Sequence, residues 1–581
     1  MTWTEWFIFL FIIQIIHGLG TWKLYIKADR KAWEAFIPIY NAVVLMKIIS
    51  RPWWWVILMF LPIVNLIMIP AAWVETARAF GKDSKLDALI CILTLGFYLY
   101  YLNYVADVNF IENRQLKPKT SAGEWITSIL FAIVAATIVH TYFFQPFVIP
   151  SSSLEKSLLV GDFLIVSKLH YGPRAPMTTV AAPMVHDTIP KLGVKSYVYN
   201  DNFKERNSSW LNKLQLPYLR LPGFEKIERN DIVVFNQPAD TLLDMNNFNP
   251  DRNYYKPIDK KTNLVKRCVG IAGDTLEIRN GYVFINGKQN ELPDRTELQH
   301  YYIFESKSPI TSNLIDKYDI ETVWNVYKIN KEFWDDERIQ NFLEQNKKKV
   351  YLRETKRDSL KVEVYGAVGQ EIFYKLKMEE IENKYLINTT LKDSKKIELL
   401  PQTISIKQFS NTVPDYKGTF PMNAAYDWNY DNFGPLWIPK AGETIELSID
   451  NIPLYKRAIG EYEGNKVVTR GNQIFINDAP ATSYTFKQDY YWMMGDNRHN
   501  SIDARAWGFV PFNHTFGKPV FIWMSIDGIN DGIKNWRPRW DRIFTTVSGN
   551  GERRSYLIPF LVVVFGITFF NKWRKKKKAK A

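Results

Sequence analysis

Five apolar stretches limit what this chain can become. They cover residues 6–22, 53–73, 86–104, 125–149 and 556–570. A helix that crosses a bilayer needs about 20 mostly apolar residues, and each stretch reaches or approaches that length. The last is the shortest, but Trp573 and the lysines behind it supply an interfacial anchor. The first does not read as a cleavable leader, because no basic region precedes it and no small-residue cleavage site follows. The expectation is a protein fixed in a membrane by about five helices, with one large water-exposed region between the fourth and the fifth.

Orientation follows from the basic residues of the short loops. Lys23, Lys27, Arg30, Lys31, Lys47 and Arg51 lie between the first two stretches, and Arg114, Lys117 and Lys119 precede the fourth. Both groups face the cytoplasm if the spans alternate, so residues 150–552 emerge on the opposite side. The tail "KWRKKKKAKA" then falls back inside. Segment 30–49 reads as an interfacial or re-entrant helix. The resulting domains are a membrane region over 1–120, a leading span over 121–149, an outer domain over 150–552 and a closing span with its tail over 553–581.

The formal net charge is +14, and part of it sits in that tail beside an apolar run. No nucleic-acid motif accompanies it, so the charge suits an anionic membrane surface and no nucleic-acid partner is expected. There are two cysteines, Cys91 in an apolar run and Cys268 in a polar one. A disulfide between them is not expected, and metal sites built on cysteine pairs are excluded by the count.

The outer domain reads as mainly β. "GDFLIVSKL", "NDIVVFNQP", "GDTLEIRNGYVFINGK", "GETIELSI", "NKVVTRGNQIFINDAP" and "GKPVFIWMSI" are short β-branched runs bounded by turn residues. "RNGYVFINGK" and "RGNQIFINDA" carry the Asn/Gly turns of tight hairpins. Insertions are read at about 170–225 and 290–440, the second with an amphipathic helix in "NKEFWDDERIQNFLEQNKKK" and no evident chemistry.

Just beyond the fourth stretch stands "PSSSLEKSLLVGDFLIVSK", three serines in a row at 151–153. A serine becomes a nucleophile only if a neighbour takes its proton. The seven histidines are scattered, and none lies in a recognisable nucleophile context. A lysine can serve instead, provided burial keeps its amine neutral. "NLVKRCVGIAGDTLEI" places Lys266 in an apolar strand, although on that segment alone an ordinary strand-edge lysine is the simpler reading. A third stretch, "MMGDNRHNSIDARAWGFVP" (493–511), has the composition of a tight polar loop.

These segments, in this order, resemble type I signal peptidase, the membrane-bound Ser/Lys peptidase family. "PSSSLEKSL" is similar to its P-S-x-S-M-x-P-T-L nucleophile box, "DIVVF" to its next strand, "VKRCVGIAGD" to its lysine box and the 493–511 loop to G-D-N-R-x-N-S-x-D-S-R. The resemblance implies Ser153 as nucleophile and Lys266 as general base. It implies an oxyanion site from the Ser151 hydroxyl and the Ser153 backbone N–H, each such donor being worth about 3–4 kcal/mol of barrier. Ser152 becomes a replaceable spacer. Ser501 is implied to orient the lysine, and Arg267, Asp496, Asp503 and Arg505 to brace the site. Phe147, Ile149, Leu154, Leu158 and Val265 match positions lining shallow pockets for small side chains.

The implied fold is a mainly β catalytic domain of coiled antiparallel sheets, a partial barrel, on the helical anchor. The implied activity is removal of signal peptides from exported preproteins after an A-x-A site, without metal or cofactor, at the outer face of the bacterial cytoplasmic membrane. Signal peptides, membrane lipid and the secretion translocon are the implied partners. A processing peptidase dedicated to one secretion or pilus system and a non-catalytic envelope scaffold stay open as alternatives. Departures from the pattern are Leu154 for Met, Glu155-Lys156-Ser157 for x-P-T, His499 for Asp and Ala504 for Ser. "LYKRAIGEYEGNKV" (454–467) repeats the lysine box and offers Lys456 as a rival base. Lys266 is preferred, because its segment keeps the G-x-x-G-D turn and lacks the two glutamates that would hold an amine charged.

Overall fold

A computed structural model describes residues 1–116, 120–202, 205, 207–238, 256–346 and 350–580; Lys117 and Lys119 lie outside them. The chain forms two compact units, one of residues 1–146, 166–226 and 235–263, the other of residues 147–165, 227–234 and 264–581.

In the first unit, helix Trp3–Lys27 opens on a capping box: the Thr2 hydroxyl accepts from Glu5 N–H, and the Glu5 carboxylate accepts from Thr2 N–H. Helix Ser121–Ile138 is capped by the Thr120 hydroxyl and loosens into a wider turn, Val139–Phe143, before strand Phe144–Val148 begins. Lys168 Nζ donates to the His140 and Thr141 carbonyls, each at 2.9 Å, satisfying acceptors that a helix end leaves open.

Among the described residues three helices are long and apolar enough to cross a membrane: Trp3–Lys27, Ser121–Phe143 and Leu557–Lys577. The expected count of about five is not confirmed. Stretch 53–73 is interrupted: helices Trp55–Phe60 and Asn65–Ala79 are separated by Leu61–Val64, where Ile63 has φ +70°. Stretch 86–104 is two helices, Lys85–Leu93 and Tyr98–Tyr104, bent by 113° at Leu95 and Gly96, both with positive φ. Counting that pair as one span gives four. The fourth expected span stops at Phe143, so residues 144–149 already belong to the strand and its exit.

The second unit is mainly β. Its chief sheet runs in the order Phe144–Val148, Asp162–Ser167, Thr515–Asp527, Ile232–Asn236, Asn263–Gly270, Tyr490–Met494 and Val510–Pro511. Both expected hairpins are present. Thr275–Arg279 and Tyr282–Ile285 join through Asn280 and Gly281 at φ +50° and +82°, the geometry that favours Asn-Gly. Val467–Arg470 pairs antiparallel with Gln473–Ile476 across Gly471 and Asn472, with Gly471 at φ +56°. Trp492, Phe433, Phe486, Tyr490 and Phe509 lie in one buried core with Leu276, Ile278 and Ile438.

The 290–440 segment is a folded body of its own kind. Six antiparallel strands lie in the order Tyr351–Arg357, Lys361–Ala367, Thr322–Asn330, Glu379–Thr390, Gln299–Ser306 and Thr403–Gln408. Tyr302, Phe304, Ile320 and Ile387 share one of its apolar clusters. The expected helix there is split into Lys331–Trp334 and Glu337–Gln345.

Candidate active site

The three quoted boxes meet in the second unit. Ser153 stands on a single helical turn, Ser152–Leu154, after the exit of strand Phe144–Val148. Ile149 N–H donates to the Asp162 carbonyl and Gly161 N–H to the Ile149 carbonyl, both at 2.9 Å, so the approach to the serine is tied to strand Asp162–Ser167. Gly161 has φ +88° and lies so close to the Ile526 carbonyl that a Cβ would stand 1.8 Å from its oxygen; only glycine fits there.

Lys266 projects from strand Asn263–Gly270, and its Nζ donates to Ser153 Oγ at 2.6 Å. Both side chains are withdrawn from water, with 5% and 8% of their residues' surface exposed. Burial lowers the Lys266 amine to about 8, against the pull of Asp503 and Asp496, which favour the charged form.

The 493–511 loop encloses this pair. Gly495 presses against the serine turn: a Cβ there would lie 2.3 Å from Ser501 Oγ and 2.5 Å from the Ser153 carbonyl oxygen. Arg267 grips Asp496 with two bonds of 2.7 and 2.6 Å, and its third nitrogen donates to the Asn230 carbonyl at 2.7 Å. Arg505 makes the same bidentate contact with Asp503, whose Oδ2 also accepts from Gly495 N–H at 3.0 Å. The Arg505 guanidinium and these bonds hold the Asp503 carboxyl below the usual range although burial alone would raise it.

The remaining expected residues are distributed unevenly. Ile149, Leu154 and Leu158 are buried, while Phe147 and Val265 are half-exposed. Ser151 is exposed at the start of the serine turn. The Ser501 hydroxyl is buried without a hydrogen-bond partner, so the expected bond to the Lys266 amine is not made. Lys456 is far from the expected pattern of a base, since "LYKRAIGEYEG" is helical and its lysine exposed. His499 is a packing residue: Nδ1 accepts from Tyr301 N–H, Nε2 bonds Asp431, and the ring stacks on Tyr301.

A model of the family described as signal peptidase, peptidase S26, matches residues 122–365 and 441–524, more than half of the chain. The chain belongs to this family. It is 38% identical over 447 residues to signal peptidase I of Haemophilus influenzae, an alignment covering 75% of this chain and 79% of that relative. To signal peptidase I of Buchnera aphidicola subsp. Acyrthosiphon pisum it is 21% identical over 440 residues, covering 75% of this chain and 87% of the relative. Residues 33–113 match a family of unknown function, DUF5684.

Against the S26 pattern, the turn after the nucleophile is the point of departure. Lys156 stands where the quoted box has proline, and its φ is +69°. Proline is locked near −65° and cannot adopt that conformation, so the substituted turn also runs differently. Lys156 pairs with Asp319 of the inserted sheet and donates to the Asp319 carbonyl at 3.2 Å. Burial, and next the Glu321 carboxylate, raise the Glu155 carboxyl to about 7. Sequence reasoning missed Asp319, Glu321 and Asn388. Nothing in their local context marks them, because they reach the site from an insertion that carries no motif.

Proposed function

We propose that this S26 peptidase removes signal peptides from exported preproteins after a small-x-small site, with Ser153 as nucleophile and Lys266 as general base. The reading is carried by the buried contact of 2.6 Å between Lys266 Nζ and Ser153 Oγ. A lysine held out of water costs stability whatever its amine does, so burying one calls for a use. A binding scaffold on the same sheets would be better served by an apolar side chain at that place.

In this reading the neutral amine takes the Ser153 hydroxyl proton as Oγ attacks the scissile carbonyl. The tetrahedral oxyanion is held by the Ser151 hydroxyl and the Ser153 backbone N–H. The Lys266 ammonium then protonates the departing amine of the mature protein, and the C–N bond breaks. A water molecule, deprotonated by the same amine, hydrolyses the acyl ester. Ser501 turns its free hydroxyl to the amine once substrate is bound. Phe147, Ile149, Leu154, Leu158 and Val265 shape the pockets for small side chains, and the substrate strand adds beside residues 147–150.

The site is proposed to face the periplasm of a bacterial cell. Within the first unit, Met1 N donates to the Lys213 carbonyl at 3.1 Å and Trp6 Nε1 to the Gln215 carbonyl at 3.0 Å. The amino end of the first helix therefore lies beside residues 213–215 of the same unit. Three full spans preserve the alternation expected for five, since removing a pair of crossings changes no orientation. The bent pair at 85–104 fits this scheme as a re-entrant loop, because a fourth crossing would put the lysine-rich tail outside.

The test is cleavage of a model preprotein by the purified, detergent-solubilised full chain, with sequencing of the product N-termini. Wild type should cut after a small-x-small site and Ser153→Ala should not. Cleavage that survives Ser153→Ala, or that is lost on changing one histidine and follows a histidine-like pH profile, overturns the mechanism.

A further inference from the structure

We infer that Glu321, supplied by the inserted sheet, is a positioning residue for Ser153. The inference rests on the reading of Ser153 as nucleophile and extends the site to an element the serine and lysine boxes do not contain.

Glu321 immediately precedes strand Thr322–Asn330. Its neighbour Ile320 is buried in the apolar cluster of the inserted sheet with Tyr302, Phe304 and Ile387, so the carboxylate is carried on a rigid element. Glu321 N–H also donates to the Asn388 carbonyl at 3.2 Å. One carboxylate oxygen, Oε2, accepts from Asn497 Nδ2, and the other, Oε1, from Asn500 Nδ2 at 3.0 Å. Both asparagines then hold the serine turn. Asn500 Nδ2 donates to Ser152 Oγ at 2.9 Å, Asn497 Nδ2 to the Ser152 carbonyl at 3.3 Å, and Asn497 N–H to the Ser153 carbonyl at 3.2 Å. Asn388 Nδ2, from the same sheet as Glu321, donates to Asn497 Oδ1 at 2.8 Å.

Ser152 is therefore more than a spacer. Its hydroxyl and carbonyl are the handles by which the inserted sheet reaches the residue next to the nucleophile. The contact between Lys156 and Asp319 acts on the other side of Ser153. Lys156 itself stands in the left-handed region, at φ +69°, which side chains with a Cβ rarely adopt. The insertion thus grips the serine turn before and after Ser153, where the quoted family box relies on a proline. A displacement of the nucleophile by about 1 Å lowers a rate by about 100-fold, so this grip bears on turnover more than on substrate affinity.

The experiment compares full-length wild type, Glu321→Ala, Glu321→Gln and Ser153→Ala on one preprotein. Rates are normalised to the folded fraction from near-ultraviolet circular dichroism. Glu321→Ala is expected to lower kcat by about 10- to 100-fold with KM within about threefold, and Glu321→Gln, which keeps one acceptor oxygen, to recover most of that loss. If Glu321→Ala matches wild type per folded molecule while Ser153→Ala is inactive, the positioning role is wrong and the nucleophile assignment stands. An equal rise in KM for both Glu321 variants with kcat unchanged also overturns it. Activity in Ser153→Ala removes the nucleophile itself, and the inference falls with it.

Discussion

Residues 264–270, "LVKRCVG", and residues 454–460, "LYKRAIG", are nearly the same word, and the molecule uses them in opposite ways. The first is a strand in the chief sheet, with Lys266, Arg267 and Cys268 all buried. The second is a helix, Ile452–Arg457, continued by a wider turn, Ala458–Tyr462, with Lys456 and Arg457 in water. Pro453 occupies the first turn of that helix, where a missing N–H costs nothing. The strand is instead fixed by its neighbours, Ile232–Asn236 on one side and Tyr490–Met494 on the other. Local sequence permits both forms, and tertiary pairing chooses. A lysine becomes a candidate base through what surrounds it.

Paired substitutions should bring out the contrast, the greatest in catalysis. Lys266→Ala is expected to lower kcat/KM by about 1,000-fold or more, since removing a base that works with its nucleophile disables both; Lys456→Ala should leave it unchanged. Wild-type kcat/KM should rise with pH through about 8, where the Lys266 amine loses its proton. Preprotein cleavage measured across pH 6–10 checks both, and equal losses at the two lysines would end the distinction.

Arg267→Ala against Arg457→Ala comes next. Breaking the buried Arg267–Asp496 pair should cost about 3–5 kcal/mol. Arg457→Ala, at an exposed residue that donates to the Trp507 carbonyl at 3.2 Å, should cost less than about 1 kcal/mol. Chemical denaturation followed by fluorescence reports either change.

Lys266→Met should then stabilise the fold at pH 7 by up to about 3 kcal/mol, less the lost bond to Ser153. The sign follows from the lowered amine. Between about 8 and the ordinary lysine value of about 10.4 the unfolded chain binds more protons, so wild-type stability climbs with pH over that window. The advantage of methionine should therefore shrink toward pH 10. Denaturation midpoints at pH 7 and 10 decide this, and a gain that does not vary with pH would contradict a depressed amine.

The smallest contrast is in the glycines. A Cβ on Gly270 would meet Ile438 Cδ1 at 2.5 Å, whereas one on Gly460 finds only ordinary contacts at 3.6 and 3.8 Å. Gly270→Ala should cost about 1–3 kcal/mol, and Gly460→Ala should gain up to about 1 kcal/mol. Thermal midpoints measure the difference.

What could be read from sequence shares one property: it is local. The hairpins announce themselves because Asn280 and Gly281 adopt positive φ cheaply. The 493–511 loop is legible in part because Asp503 bonds both Arg505 and Gly495 within it. The breaks within 53–73 and 86–104 are not legible because apolar content does not register a turn, and Ile63, Leu95 and Gly96 take positive φ there. Glu321 was invisible for the opposite reason. Its partners Asn497 and Asn500 lie 176 and 179 residues away, and only the folded inserted sheet brings it to them.

Strand Thr515–Asp527 is synthesised long after both of its sheet neighbours, yet it lies between Asp162–Ser167 and Ile232–Asn236. The sheet that aligns the serine turn with the lysine strand cannot close until that late segment arrives. A ribosome-bound chain that stops before residue 515 thus carries Ser153 and Lys266 without the strand that joins Asp162–Ser167 to Ile232–Asn236.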